Sequence, residues 1–220
     1  MLAVIVFVFL AVGAPVARAN TISIFVQQDA GALVMVASNN TGFISYTGAF
    51  GDFNFNSITA TGSPILPEPA LSSTSLDVQS SSGSHVLNIF ITQFGITSPT
   101  GVNSFLSSFT SQTFSGAITS VLEQTFVDVG NGIGGTLLAS STFTGIGSYS
   151  SVNSTPSLSN PYSETVQYTI TTHGSGRVNN TIDMDAFTDN FTTVPEPSSL
   201  LLSTLGLAGF LLAKRRLRTF

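Results

Sequence analysis

Apolar and polar residues alternate with a period of two along much of this chain. Val166, Tyr168 and Ile170 enclose Gln167 and Thr169, and Ile182, Met184 and Ala186 enclose Asp183 and Asp185. Leu87, Ile89 and Ile91 repeat the pattern around Asn88, although Phe90 breaks the polar face. Such alternation turns one face of a strand toward a core and the other toward water. Further strands are predicted near 21–26, 32–37, 53–60, 75–79, 105–114, 121–129 and 135–143, separated by Gly, Asn, Pro and Ser clusters. No stretch between Asn20 and Val194 has a convincing helical period. Short strands without helical crossovers predict an all-β fold, an antiparallel β-sandwich or jelly-roll-like single domain. Two segments, 62–73 and 145–161, read as long loops, where a sandwich commonly carries its binding residues.

The two ends depart from this pattern. Leu2 to Val16 is almost unbroken apolar sequence, followed by Ala17, Arg18 and Ala19. That is the pattern of a secretory signal over 1–19, with signal peptidase expected to cut between Ala19 and Asn20. The alternative is an ordinary membrane anchor. At the other end, Leu200 to Ala213 carries no charge and is followed by Lys214, Arg215, Arg216 and Arg218. A helix over about 198–213 is a marginal single transmembrane span, since 200–213 alone covers ~21 Å of a ~30 Å hydrocarbon core. Its basic end should stay cytoplasmic, leaving the preceding chain outside. Residues 190–194 read as a linker between the exported domain, 20–189, and this tail.

Pro195 and Pro197 fix their own backbone and push the preceding residues toward extended geometry, so a stiff segment stands just before the apolar run. The combination of Val194-Pro195-Glu196-Pro197, an apolar helix and an Arg-rich end resembles the PEP-CTERM sorting signal of Gram-negative bacteria, here over 195–218. The resemblance implies that a membrane-embedded exosortase recognises Pro195, Glu196 and Pro197 and removes the tail. It also implies a passing inner-membrane stage, export to the cell surface or beyond, and a setting of exopolysaccharide and biofilm. A permanent single-span anchor is the alternative. A second such tripeptide, Pro67-Glu68-Pro69, has no apolar helix after it and reads as a loop.

Composition narrows the function. Of 11 acids and 6 bases in the chain, only Arg177 among the bases falls between Asn20 and Val194. Nucleic-acid binding needs clustered Lys and Arg to displace counterions, so it is excluded. The chain has no cysteine. Disulfides, iron–sulfur clusters and Cys-based zinc sites are therefore excluded, and burial and sheet hydrogen bonds must hold the domain.

The candidate chemistry is sparse. Gly130, Gly132 and Gly135 match Gly-x-Gly-x-x-Gly, but strand-like sequence follows where a dinucleotide site needs a helix. Asp183, Asp185 and Asp189 offer hard oxygens for a calcium ion, or simply charge on a solvent-facing edge strand. His85 and His173 read as strand-end polar residues, and no Gly-x-Ser-x-Gly elbow is present. Tyr149, in the predicted loop 145–161, is the best exposed aromatic for stacking on a sugar. The resulting expectation is a non-enzymatic exported protein with a structural or adhesive role. A carbohydrate-binding module, with or without calcium, is the alternative, and a secreted hydrolase comes third.

Overall fold

The computed structural model describes residues 20–187, which form an all-β, antiparallel fold without a helix. Ten strands follow in order: β1 Thr21–Gln28, β2 Val34–Asn39, β3 Phe43–Phe50, β4 Phe53–Thr61, β5 Leu71–Ser80, β6 His85–Ile96, β7 Ser104–Asp128, β8 Thr136–Phe143, β9 Gly147–Ser154 and β10 Tyr162–Ala186. The predicted signal segment, linker, sorting tripeptide and transmembrane helix all lie outside the described residues.

All ten strands belong to one hydrogen-bonded sheet that folds back on itself. The two longest strands, β7 and β10, make the fold. The first half of β10, Tyr162–Thr172, pairs with β6, and its second half, Gly176–Met184, pairs with β5. Strand β7 runs antiparallel to β10 through both halves. One layer therefore reads β2-β1-β6-β10-β7-β8 and the other β3-β4-β5-β10-β7-β9. The chain turns the corner at Gly116 in β7 and at Gly174 to Gly176 in β10, where the ladder slips register. Glycine is required there by close approach. A Cβ on Gly116 (φ 71°) would run into the Ser175 carbonyl oxygen, and one on Gly176 would lie 2.6 Å from the Ser115 oxygen.

The space between the layers is filled by the inward parity of each strand. Ile22, Ile24 and Val26 of β1 meet Leu87, Ile89 and Ile91 of β6 and Val166, Tyr168 and Ile170 of β10 in one buried cluster. Phe53, Phe55, Leu76, Val78, Phe105, Phe109, Val178 and Ile182 belong to the same cluster. Each fully buried aliphatic or aromatic side chain contributes roughly 1.5–3 kcal/mol. A chain without disulfides can be held together by a cluster of this extent.

The structure corrects the strand reading at several points. The stretches 105–114 and 121–129 are one strand, as are 166–170 and 181–186, because the glycines between them bend the strands without ending them. Phe43–Phe50 is a strand that the sequence did not suggest. The predicted loop 145–161 contains β9, an edge strand that pairs with β7. The segment 62–70 is a loop, as expected, but β5 begins at Leu71.

Candidate functional site

Tyr149 lies on β9 rather than in a loop, directly opposite Phe109 of β7. Its ring stacks on that of Phe109 with centroids 6.2 Å apart and planes 12° apart, and the residue is 48% exposed. Phe109 is buried, so the core fixes the lower ring and the lower ring fixes the upper. Ser108 and Thr110 flank Phe109 along β7, and Ser148 and Ser150 flank Tyr149 along β9, so their side chains lie on the opposite face of the sheet from the two rings. These residues line a shallow depression of about 310 Å³ that holds no charged side chain.

The aspartates do not join it. Asp183 accepts a hydrogen bond from the Ser72 hydroxyl across the β10–β5 ladder. Burial raises the carboxyl of Asp185, partly offset by the backbone N–H of Ala186. Asp189 lies outside the described residues. Among the described residues, no group of three His, Cys, Asp or Glu side chains is arranged to hold a metal ion.

The glycine-rich segment is a hairpin loop whose N–H groups are already used. Those of Gly130 and Gly132 each donate to the Asp128 carboxylate at 2.8 Å. A carboxylate of the chain itself thus occupies the position where an anion would be cradled. The Gly134 N–H donates to Thr165 Oγ1 and Ser163 Oγ donates to the Gly132 carbonyl, which ties the loop to β10.

Both histidines hold structural contacts. His85 lies between Asp29, 2.9 Å from Nδ1, and Asp52, 3.3 Å from Nε2. The backbone N–H of Val86 and the His85 ring hold the Asp29 carboxyl below the usual carboxylate range. Asp52 also accepts from Gln28 Nε2 at 2.8 Å. The cluster joins β1, the β3–β4 turn and the start of β6 at one end of the fold. His173 at the β10 corner pairs with Thr119 Oγ1 at 2.9 Å.

The second Pro-Glu-Pro has a definite job. The Glu68 carboxylate accepts from Asn20 Nδ2 at 2.6 Å, from the backbone N–H groups of Thr97 and Ser98, and from Thr97 Oγ1. Partial burial would raise this carboxyl, but the hydrogen bonds outweigh it and hold it below its ordinary value. Asn20, the residue expected to follow the signal cut, is thereby buried against the 62–70 loop. Ala17, Ala19, Pro195, Glu196, Pro197, Lys214, Arg215, Arg216 and Arg218 lie outside the described residues.

Two glutamates missed by the sequence reading sit between the layers. Glu123 and Glu164 are fully buried. Glu123 Oε1 accepts from Asn180 Nδ2 at 2.5 Å, while Glu123 Oε2 and Asn180 Oδ1 have no partner. Neither carboxylate oxygen of Glu164 has one. Burial pushes Glu123 up to about 8 despite the Asn180 bond, and pushes Glu164 well above its usual range. Glu123 is therefore protonated and neutral at mildly acidic pH, and Glu164 is shifted in the same direction. The signal was parity: Glu123 shares its face with Val121 and Val127, and Glu164 with Val166 and Tyr168. The one described cation outside the histidines, Arg177, forms a bidentate pair with Asp77, Nε to Oδ1 at 2.8 Å and Nη2 to Oδ2 at 2.5 Å.

Residues 193–216 match the PEP-CTERM protein-sorting motif, at the C-terminus of the chain. Among curated proteins, none matches this sequence. Solved structures with some likeness include the enzymatically active domain of bacteriophage CBA120 tailspike protein 4, at 12% identity and a TM-score of 0.37, covering 68% of this chain and 20% of that one. The chain thus spans about a fifth of the tailspike structure's length. Two carbohydrate-binding modules are also similar. The mannan-recognising TmCBM27 shares 8% identity at a TM-score of 0.31, covering 66% of this chain and 88% of its own. TmCBM61, solved with β-1,4-galactotriose, shares 11% at a TM-score of 0.28, covering 64% and 92%. None of these likenesses is close enough to bring a ligand or an activity with it.

Proposed function

We propose that this chain is an exosortase-sorted, exported protein without catalytic activity, whose β-sandwich serves a structural or adhesive role in the cell envelope or extracellular polysaccharide. The sorting motif over 193–216 carries this reading, because it marks the chain for export to the surface. The domain ahead of it supports a non-catalytic role. Its histidines and Asp29, Asp52, Glu68, Asp77 and Asp128 are engaged in bonds that hold loops and strand ends together. Glu123 and Glu164 are sealed between the layers, out of a substrate's reach. The test replaces Pro195, Glu196 and Pro197 together by alanine. The full-length chain should then collect in the inner membrane with its tail attached. Release at the normal mass would refute the reading.

One observation favours a second reading, carbohydrate binding: the half-exposed Tyr149 ring stacked on Phe109 at the edge of the sheet. Exposed aromatic faces suit sugar rings. A glycan array with and without chelator separates the readings. Binding lost in Tyr149→Ala and unaffected by chelator favours the platform without calcium at Asp183 and Asp185; an array with no binder removes this second reading.

A further inference from the structure

The folded sheet leaves four edge strands, β2 and β8 in one layer and β3 and β9 in the other. An open edge exposes unpaired N–H and C=O groups to any extended chain, and natural sheets blunt it with bulges, charge or proline. Three of the four edges carry such a device. The β2 ladder slips between Ile24 and Phe25 of its partner, the β3 ladder between Tyr46 and Gly48, and the β8 ladder between Thr125 and Phe126 of its partner. Strand β9 has none. Its ladder to β7 runs unbroken from Ser104↔Ser154 to Ser111↔Gly147, and it contains neither proline nor charge. Its other side has no strand partner among the described residues.

The surroundings favour one occupant. From Val129 to Ser163 the sequence holds no Asp, Glu, Lys, Arg or His. Elsewhere the described residues carry nine carboxyl groups, of which Glu123 and Glu164 are fully buried, against Arg177, so two copies meeting at a charged face bring like charges together. The β8–β9 hairpin avoids this and exposes Ile146 at 77%, Tyr149 at 48% and Val152 at 46%. The β2–β3 hairpin is equally uncharged over 30–51 and exposes Leu33, Val34, Met35 and Phe43, so the unbroken ladder is what sets β9 apart. We infer that β9 is a self-association edge, where a second copy of this chain adds its own β9 antiparallel to form one continuous sheet across two molecules. This deepens the structural role proposed above and rests on it. A two-fold axis normal to the sheet, midway between the two β9 strands at the level of Ser150, places the two Ser150 residues opposite each other. It also sets the two Tyr149 residues diagonally across the junction, ~7–8 Å apart and within reach of aromatic side chains.

Sedimentation of the full chain in mild detergent tests the inference. Wild type should dimerise reversibly. Ser150→Lys should weaken the dimer by about tenfold or more by placing like charges directly opposite each other at the junction, and Met35→Lys, on the bulged β2 edge, should leave it unchanged. If Ser150→Lys disturbs folding by circular dichroism, Ser151→Lys, which sets the two charges diagonally across the junction, replaces it. Because the chain has no cysteine, Ser150→Cys should form a disulfide-linked dimer under mild oxidation, while Val34→Cys on β2 should not. A wild type that stays monomeric at about 100 μM, or equal weakening by Met35→Lys, overturns the inference. A monomer that is still exported and trimmed normally would sink the dimer and leave the structural reading standing. If it instead bound glycan through Tyr149, the edge would be a sugar site and the self-association inference would also fail.

Discussion

At the residue scale, the interior carboxyls set how this protein responds to pH. Between the unfolded Glu value, near 4.5, and the folded Glu123 value of about 8, the native state holds a proton that the unfolded chain has lost. Stability is therefore fully present below the lower value and falls as pH rises through the upper one. Glu164 acts in the same direction. Glu123→Gln keeps the shape and hydrogen-bonding capacity without the charge. Urea melts across this window should show wild type losing roughly 2–4 kcal/mol, and the variant should lose clearly less. A wild-type midpoint independent of pH would contradict the assignment. The Glu68 carboxylate has the opposite sense, since its folded value is depressed. Its contribution is present at neutral pH and lost as pH falls through that value. Glu68→Ala removes the shared acceptor of the Asn20, Thr97 and Ser98 donors, the last two of which can turn to water, and should cost about 0.5–1.5 kcal/mol at pH 7, read as a lower urea midpoint.

At the element scale, the corner of β7 and β10 decides whether two layers form at all. Gly116 combines a positive φ with the Ser175 carbonyl at its Cβ position, so Gly116→Ala meets both strain and a clash. It should destabilise by more than about 2 kcal/mol. Gly145→Ala, in the turn before β9, meets nothing within 4 Å and should be close to neutral. Thermal melts of the two variants compare these sites directly. The same corner explains what the sequence concealed. Gly116, Gly174 and Gly176 looked like turn residues because glycine more often ends strands than bends them, so each long strand read as two. Strand β9 was hidden because Gly147-Ser148-Tyr149-Ser150-Ser151 has loop composition, and its pairing with β7 supplies what local propensity does not. Strands β1, β4 and β6 were legible because their inward parity is almost purely apolar. The aromatic platform was half legible: Tyr149 stood out, but Phe109 beneath it is named only by the cross-strand register.

At the scale of the whole molecule, charge is lopsided. Nine acidic side chains and a single arginine fall within the described domain. With Glu123 and Glu164 buried inside, the remaining carboxylates lie at loops, strand ends and the outer faces, where they repel one another through solvent. Salt screens such repulsion within ~8–10 Å at physiological strength. Raising sodium chloride from low to moderate concentration should therefore raise the melting temperature by a few degrees. A melting temperature that falls with salt would mean that the Arg177–Asp77 pair outweighs the repulsion. All-β class, export and the sorting motif could be read at this scale from the sequence, because composition and terminal patterning reflect the chain as a whole. The burial of two acids could not, since it depends on which layer faces which.

Strand β10 ends at Ala186, and the Phe187 N–H donates to the Ser104 carbonyl at 2.7 Å. Any tension applied at this end therefore enters a strand that is flanked on both sides along nearly its whole length. Pulled along its axis, that strand loads the hydrogen bonds of two ladders in shear, many at once, instead of peeling them singly. A body pulled by this end would resist being drawn out far better than one pulled by an edge strand.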